Sequence, residues 1–401
     1  MTIQTTSPEP APLTGIFPKE RLAVALLFLA NGLYIGAWSP KIPVIARSFA
    51  LSEQLLGLLL VAFGVGSIAI MPIAGAQIAR FGSSLVVKVA AILFLPVMLF
   101  ITFAPNVYLL AVAVFLFGGF AGAMDIAMNA NAVEVEKRMR RSIMSSCHAY
   151  WSMGALVGAA IGGFLIDRFG AETHAIIATA LDAALVFTAL AIVMHDGPHD
   201  AASHGHEPRT SIFQSPLPWL LGIMALFSML QEGLVIDWSS LYLSTELGST
   251  LTIASFAAAA FHGTMMLMRF AGDSVRDRFG AVRTFRISAV LALVGMIVGG
   301  LAPNAYVAIV GFAVSGLGVS NLVPIAFSAA GNLPGMAKGV GLSVVTAMGY
   351  SGTLFAPTLF GFVIAHTGFQ AIYLGAPLLL LVVLALSHLA AHADGIKGGG
   401  H

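Results

Sequence analysis

Asp125, Asp182, Glu232 and His262 stand inside long apolar runs of this 401-residue chain. An ionisable side chain at the centre of a bilayer costs about 2.5–3.5 kcal/mol on insertion scales, so each calls for a use or a partner. The chemistry open to such a group is proton exchange, because a carboxyl walled off from bulk water is suited to taking and giving a proton near neutral pH. Asp125 has the clearest setting. Gly118, Gly122, Asp125 and Asn129 recur at i, i+4, i+7 and i+11, which is one stripe of a helix. Small residues beside an acid and an amide make a polar strip able to face a water-filled cavity, so Asp125 is expected to carry the proton. Glu232 is the second candidate, as proton carrier or as partner of a cationic substrate. Asp182 is expected to pack, and Asp237 to be a solvated helix end.

A second set suits hydroxylated solutes. Asn31, Tyr34 and Trp38 lie at i, i+3 and i+7 on one helical face, and Gln231 and Trp238 hold matching places about 200 residues later. Amides bond hydroxyls as donor or acceptor, and an indole packs on the apolar face of a sugar ring. His148 and Trp151 share a face with Ser152, while Asn321 follows Gly316 and Gly318. The expected substrate-binding set is Asn31, Tyr34, Trp38, Asn129, His148, Trp151, Gln231, Trp238, His262 and Asn321. One cysteine, Cys147, rules out a disulfide framework and a Cys-based metal cluster. No catalytic residue, metal or cofactor is expected: there is no nucleophile–base pair within the apolar runs and no phosphate-cradling loop.

These residues need a scaffold, and composition names it. Apolar residues make up 58% and charged ones 9%, against roughly 25% charged in soluble domains. A soluble fold could not cover its surface with so few charges. The net charge of +1 gives no field for nucleic acid. A membrane-spanning helix needs about 20 apolar residues. Such runs are expected at 22–47, 54–76, 84–103, 107–133, 143–166, 173–194, 217–243, 250–271, 285–303, 306–328, 339–364 and 370–391. The fold expected is all-α and integral to the membrane, with 12 transmembrane helices.

Residues 195–216 are polar and separate six spans from six. Their His195, His199, His204 and His206 read as solvated. The halves match at an almost constant offset: 75–82 (GAQIARFG) falls on 273–280 (DSVRDRFG), and 163–170 (GFLIDRFG) on 361–368 (GFVIAHTG). Matches of the same direction and sidedness imply two parallel six-helix bundles about an axis along the membrane normal. The expected organisation is a disordered tail at 1–18, bundles at 19–194 and 217–392, the linker at 195–216 and a tail at 393–401. Of the 19 Lys and Arg residues only Lys41, Arg47 and Arg168 fall on the outer side if both termini are cytoplasmic.

Two six-span halves, a central linker and a Gly-x-x-x-Asp-Arg-x-Gly pattern after the second span resemble the major facilitator superfamily. In that loop signature Gly75, Arg80 and Gly82 fit in the first half, with Ala79 in the place of the acid. Asp277, Arg278 and Gly280 fit in the second, with Asp273 in the place of the leading glycine. In the family the loop latches the inner side of the outward-open state. The fourth span further resembles the fucose–proton symporter branch, which implies that Asp125 couples proton movement to sugar binding, with Asn129 beside it. Gly154, Gly158, Gly162 and Gly163 approximate the drug–proton antiporter signature, with Ala159 in the place of its proline. The expectation is a monomeric, proton-coupled symporter of a small polar solute, sugar or polyol, in the bilayer of a bacterial inner membrane. The alternative is a proton-coupled antiporter that exports amphipathic or cationic compounds.

Overall fold

The computed structural model of the chain describes residue 15 and residues 17–139, 143–197, 215–333 and 340–394. Its helices are α1 (Lys19–Trp38), α2 (Lys41–Ser48), α3 (Glu53–Phe81), α4 (Ser83–Phe94), α5 (Val97–Thr102), α6 (Val107–Met139), α7 (Met144–Ile192), α8 (Leu217–Thr245), α9 (Leu251–Phe279), α10 (Ala281–Gly300), α11 (Ala305–Gly331), α12 (Val340–Gly375) and α13 (Leu379–Ala385). There is no strand among the described residues.

Among the described residues ten helical runs are long and apolar enough to cross a bilayer. Two of them, 47 and 42 residues long, would reach roughly 60–70 Å at 1.5 Å per residue, twice the hydrocarbon thickness. Each breaks at a glycine with positive φ: Gly170 in α7 (φ 85°, ψ 164°) and Gly368 in α12 (φ 81°, ψ 170°). Counting each as a pair gives twelve spans. The first span ends earlier than hydropathy suggests, since Pro40 separates α1 from α2, and Pro96 divides the third into α4 and α5. The last span breaks up after Gly375, where a 3₁₀ turn at Ala376–Leu378 carries Pro377. Hydropathy does not register these proline breaks, because proline changes hydrogen bonding and dihedrals rather than polarity.

The caps repeat with the helices. Ser52 and Thr250, 198 positions apart, each accept the N–H of the third residue on at 3.3 Å. Asn106 and Asn304 open α6 and α11 in the same way. Gly82 and Gly280 hold φ of 85° and 77° between the second and third span of each half. Asp196 accepts the N–H groups of Ser83 and Ser84 at 2.7 Å, and Asp394 accepts that of Ala281 at 3.0 Å. These are the side-chain and dihedral devices that satisfy free N–H groups at helix starts.

Within the first half α1 packs on α7 and α3 on α6; within the second α8 packs on α12, and α11 on α9 and α10. Gly32 and Gly36 of α1 face the backbone of Trp151 and Ala155, while Gly154 and Gly158 of α7 face that of Leu29 and Leu33, so a methyl at any of the four would collide with main chain. Small residues let helix backbones approach where the lipid offers no competing apolar gain. Between the halves α7 runs along α9 and α3 along α12, with α2 touching α8. Ala159 meets Ala258 and Ala259 at that seam.

Candidate functional site

Polar side chains from both halves meet in the interior at the α6–α12 and α7–α9 contacts. Asp125 of α6 stands on the stripe that the glycines predicted. Its Oδ1 accepts from Asn129 Nδ2 at 3.2 Å, and its Oδ2 accepts from the hydroxyl of Tyr350 on α12 at 3.4 Å. Across the other seam, Arg269 of α9 donates to Ser152 Oγ of α7 at 2.6 Å. Ser152 and Tyr350 are repeat equivalents, 198 positions apart, so one position on matching helices meets a charged residue of the opposite half in both cases. Glu232 of α8 is an electrostatic neighbour of both Arg269 and Tyr350. His148 and His262 also neighbour Arg269.

Trp151 connects this group to the first span. Its Nε1 donates to Asn31 Oδ1 at 2.9 Å, while Asn31 Nδ2 donates to the carbonyl of Ala121 at 3.3 Å, one turn before Asp125. The Trp151 and His262 rings meet edge to face at 5.5 Å. Asp125, Asn129, His148, Trp151, Glu232, Arg269 and Tyr350 all keep partial exposure, which suits a lined cavity, whereas Asn31 and His262 are buried behind them.

Other expected members lie elsewhere. Tyr34 is fully buried in the first bundle, where its hydroxyl donates to the carbonyl of Leu95 and bonds Thr179 Oγ1 at 2.7 Å. Gln231 points into the second bundle and donates to the carbonyls of Phe227 and Ala376, each at 3.2 Å. Asn321 donates to Ser288 Oγ at 3.3 Å between α10 and α11. Trp238 is fully buried near Phe369. On α8 it is Glu232, next to Gln231, that neighbours Arg269 and Tyr350.

The end of the molecule that holds Trp38 is tied shut. Trp38 of the first half neighbours Asp237 of the second, and Ser39 Oγ lies 3.0 Å from Ser240 Oγ. Asp167 Oδ2 accepts from both N and Oγ1 of Thr252 at 2.6 Å, one half's carboxylate on the helix start of the other. Gly57 and Gly361 abut the backbones of Pro357 and Glu53. At the opposite end the loop-signature residues serve their own bundles. Arg80 lies over the ring of Phe81 and Arg278 over that of Phe279, at 5.0 and 5.6 Å. Gly75 has only Ile126 near it, and Gly82 and Gly280 make the breaks between helices. The Asp277 side chain lies outside the described residues, as do His199, His204 and His206 of the linker. Arg276 rather than Arg278 meets Asp394, at 3.6 Å.

Arg269, Tyr350, Asp167 and Ser240 are the participants that sequence reasoning passed over. Arg269 was legible as a cation within an apolar window; the others are ordinary until the partner across the seam is known.

The profile of the Major Facilitator Superfamily matches residues 22–272 and 220–395. The chain belongs to that superfamily. A transporter of Sinorhizobium fredii, y4wD, is 32% identical over 84% of this chain and 89% of its own length. The membrane protein MosC of Rhizobium meliloti is 31% identical over 94% and 91%. Among solved structures the nucleoside transporter NupG superposes with a TM-score of 0.72 at 11% identity, covering 92% of this chain and 98% of its own. A D-xylose–proton symporter gives 0.71 at 18%, covering 91% and 96%. As a major facilitator the chain is an integral membrane transporter and not an enzyme, and the polar group between its halves is the candidate transport site.

Proposed function

We propose that this transporter moves a small polar solute, sugar or polyol, together with a proton carried by Asp125. The observation that supports this best is the Tyr350–Asp125 contact, because a carboxylate held by a hydroxyl of the opposite half ties its charge state to the contact between halves. A deprotonated Asp125 accepts a charge-assisted bond from Tyr350; a protonated one gains an O–H donor and accepts more weakly, so proton loading changes what joins α6 to α12. Asn129 supplies an amide for hydroxyls and Trp151 an indole face for the carbon skeleton, with Asn31 holding the indole in place. The D-xylose–proton symporter that shares the fold works with the same solute and ion classes. The Lys and Arg distribution supports cytoplasmic termini in a bacterium; on that reading the tied Trp38 end is the outer one and the conformation inward-facing. The transporter is taken to act as a monomer.

The test is accumulation in inverted and right-side-out membrane vesicles carrying an imposed pH gradient, with candidate solutes chosen by thermal stabilisation of the purified protein. Asp125→Asn is expected to abolish gradient-driven accumulation while solute exchange persists. Undiminished accumulation in that variant would sink the assignment. The second reading, export of cationic compounds, draws on the pairing of Asp125 with Glu232 through Tyr350. It predicts stabilisation by lipophilic cations, lost in Glu232→Gln.

A further inference from the structure

Arg269 occupies an odd place for a fold element. Its repeat equivalent is Met71, and that of Glu232 is Gly32, so neither charge is required by the architecture that both halves share. Yet both sit within apolar helical runs where a charge is costly. Two of the partners of Arg269 are of different kinds. Glu232 balances its charge from within the second half, and Ser152 accepts a hydrogen bond from it across the seam at 2.6 Å. The groups that face this pair are His262 on α9, His148 on α7, Tyr350 on α12 and, through Tyr350, Asp125 on α6.

We propose that Arg269 recognises an anionic group, so that the solute is a hydroxylated carboxylate rather than a neutral polyol. The inference rests on the symporter reading above and narrows it. The proton taken up by Asp125 passes on to Glu232, its neighbour across Tyr350, and removes the charge that balances the guanidinium. A carboxylate of the solute then replaces Glu232, accepting two parallel N–H bonds from the planar fork of Arg269. No bond to carbon forms or breaks: one proton moves from water by way of Asp125 to Glu232, and one anion moves from water to Arg269. The pair enters with zero net charge, which spares the cavity an uncompensated ion in a low-dielectric wall. Asn129 remains for the hydroxyls, and the Trp151 ring, held by Asn31, for the carbon chain.

Three probes share a six-carbon hydroxylated chain and differ in charge at one end: D-gluconate, D-glucitol and 1-amino-1-deoxy-D-glucitol. Thermal unfolding of the purified full-length protein is measured with each at pH 5.5 and 7.5, since a ligand of the folded state raises the transition with its concentration over Kd. D-Gluconate is expected to bind roughly tenfold or more tightly than D-glucitol, more so at pH 5.5. Arg269→Gln should erase that difference, and Arg269→Lys should keep part of it. If Arg269→Gln fails to fold, the comparison of the three probes on the unaltered protein still decides. Equal or tighter binding of D-glucitol, with its pH dependence lost in Asp125→Asn, overturns the anion inference and leaves the symporter reading standing. Preference for the amine overturns both and favours export of cations. No response to D-gluconate overturns the inference.

Discussion

Asp196 shows how a single carboxylate holds a helix end in this fold. Burial alone would raise its proton affinity, but the N–H and hydroxyl donors of Ser83 and Ser84 outweigh that and hold the group below the ordinary carboxylate range. A lowered native value means that the stabilisation is complete at neutral pH and is lost as pH falls through that value, below about 3.9. Asp196→Asn is expected to lower stability by about 1 kcal/mol at pH 7, the usual worth of a cap, and the deficit should shrink in acid unfolding series. Asp182 makes the opposite case. It is fully buried on the second limb of α7, and neither carboxyl oxygen has a hydrogen-bond donor among the described residues. Its repeat equivalent is Leu380. Asp182→Leu should therefore raise the unfolding transition, by about 1–2 kcal/mol from the relieved burial of a polar group. A fall instead would show that Asp182 has a task in the membrane.

Elements are joined here by glycines of two kinds. Gly82, Gly170, Gly280 and Gly368 adopt φ of 77–85° at the breaks between consecutive spans. That region is closed to L side chains at a cost of about 1–3 kcal/mol. Nothing lies within 4 Å of a Cβ built at Gly170, whereas one at Gly82 would press on the carbonyls of Asp196 and Gly197 at 2.6 and 2.9 Å. Gly170→Ala should lose only the dihedral term, and Gly82→Ala distinctly more, as ranked by thermal unfolding in detergent. Gly154 and Gly158 act differently, by letting α7 lie against α1. Gly158→Val drives a side chain into the main chain of Leu33 and should cost more than about 3 kcal/mol, the upper range of core overpacking, or prevent assembly. The sequence spacing of these glycines announced close packing. It did not say which helix would be the partner, because a four-residue period fixes a face and nothing opposite it.

For the whole molecule, transport requires the ties at the Trp38 end to open. Ser39 and Ser240 hydroxyls are 3.0 Å apart, within the span of a disulfide once both are cysteine. The native chain has one cysteine, buried Cys147, so background crosslinking is low. Ser39→Cys with Ser240→Cys should form an intramolecular bridge under mild oxidation and stop transport reversibly, with reductant restoring it. Failure to crosslink in membranes would show that this end rests open there. Asp167→Asn should favour the same opening, since it weakens the carboxylate hold on Thr252; its measure is faster modification of a cysteine at position 39.

The amino-acid sequence by itself determined the membrane setting, the helices, the twofold repeat and the superfamily. Hydropathy, proline and glycine act over one turn or one span, and a repeat is visible wherever both copies keep the same residues. It also marked Asp125, Asn129, Asn31 and Trp151, because a polar stripe on an apolar helix has to face something other than lipid. Tertiary structure decided the rest. It turned Tyr34 and Gln231 into their own bundles and brought Glu232 within electrostatic reach of Arg269. It also brought Tyr350 to Asp125 from 225 positions away. Helical periodicity fixes the angle of each side chain about its own axis. Which axes lie opposite, and so which charges meet, depends on how twelve spans pack together.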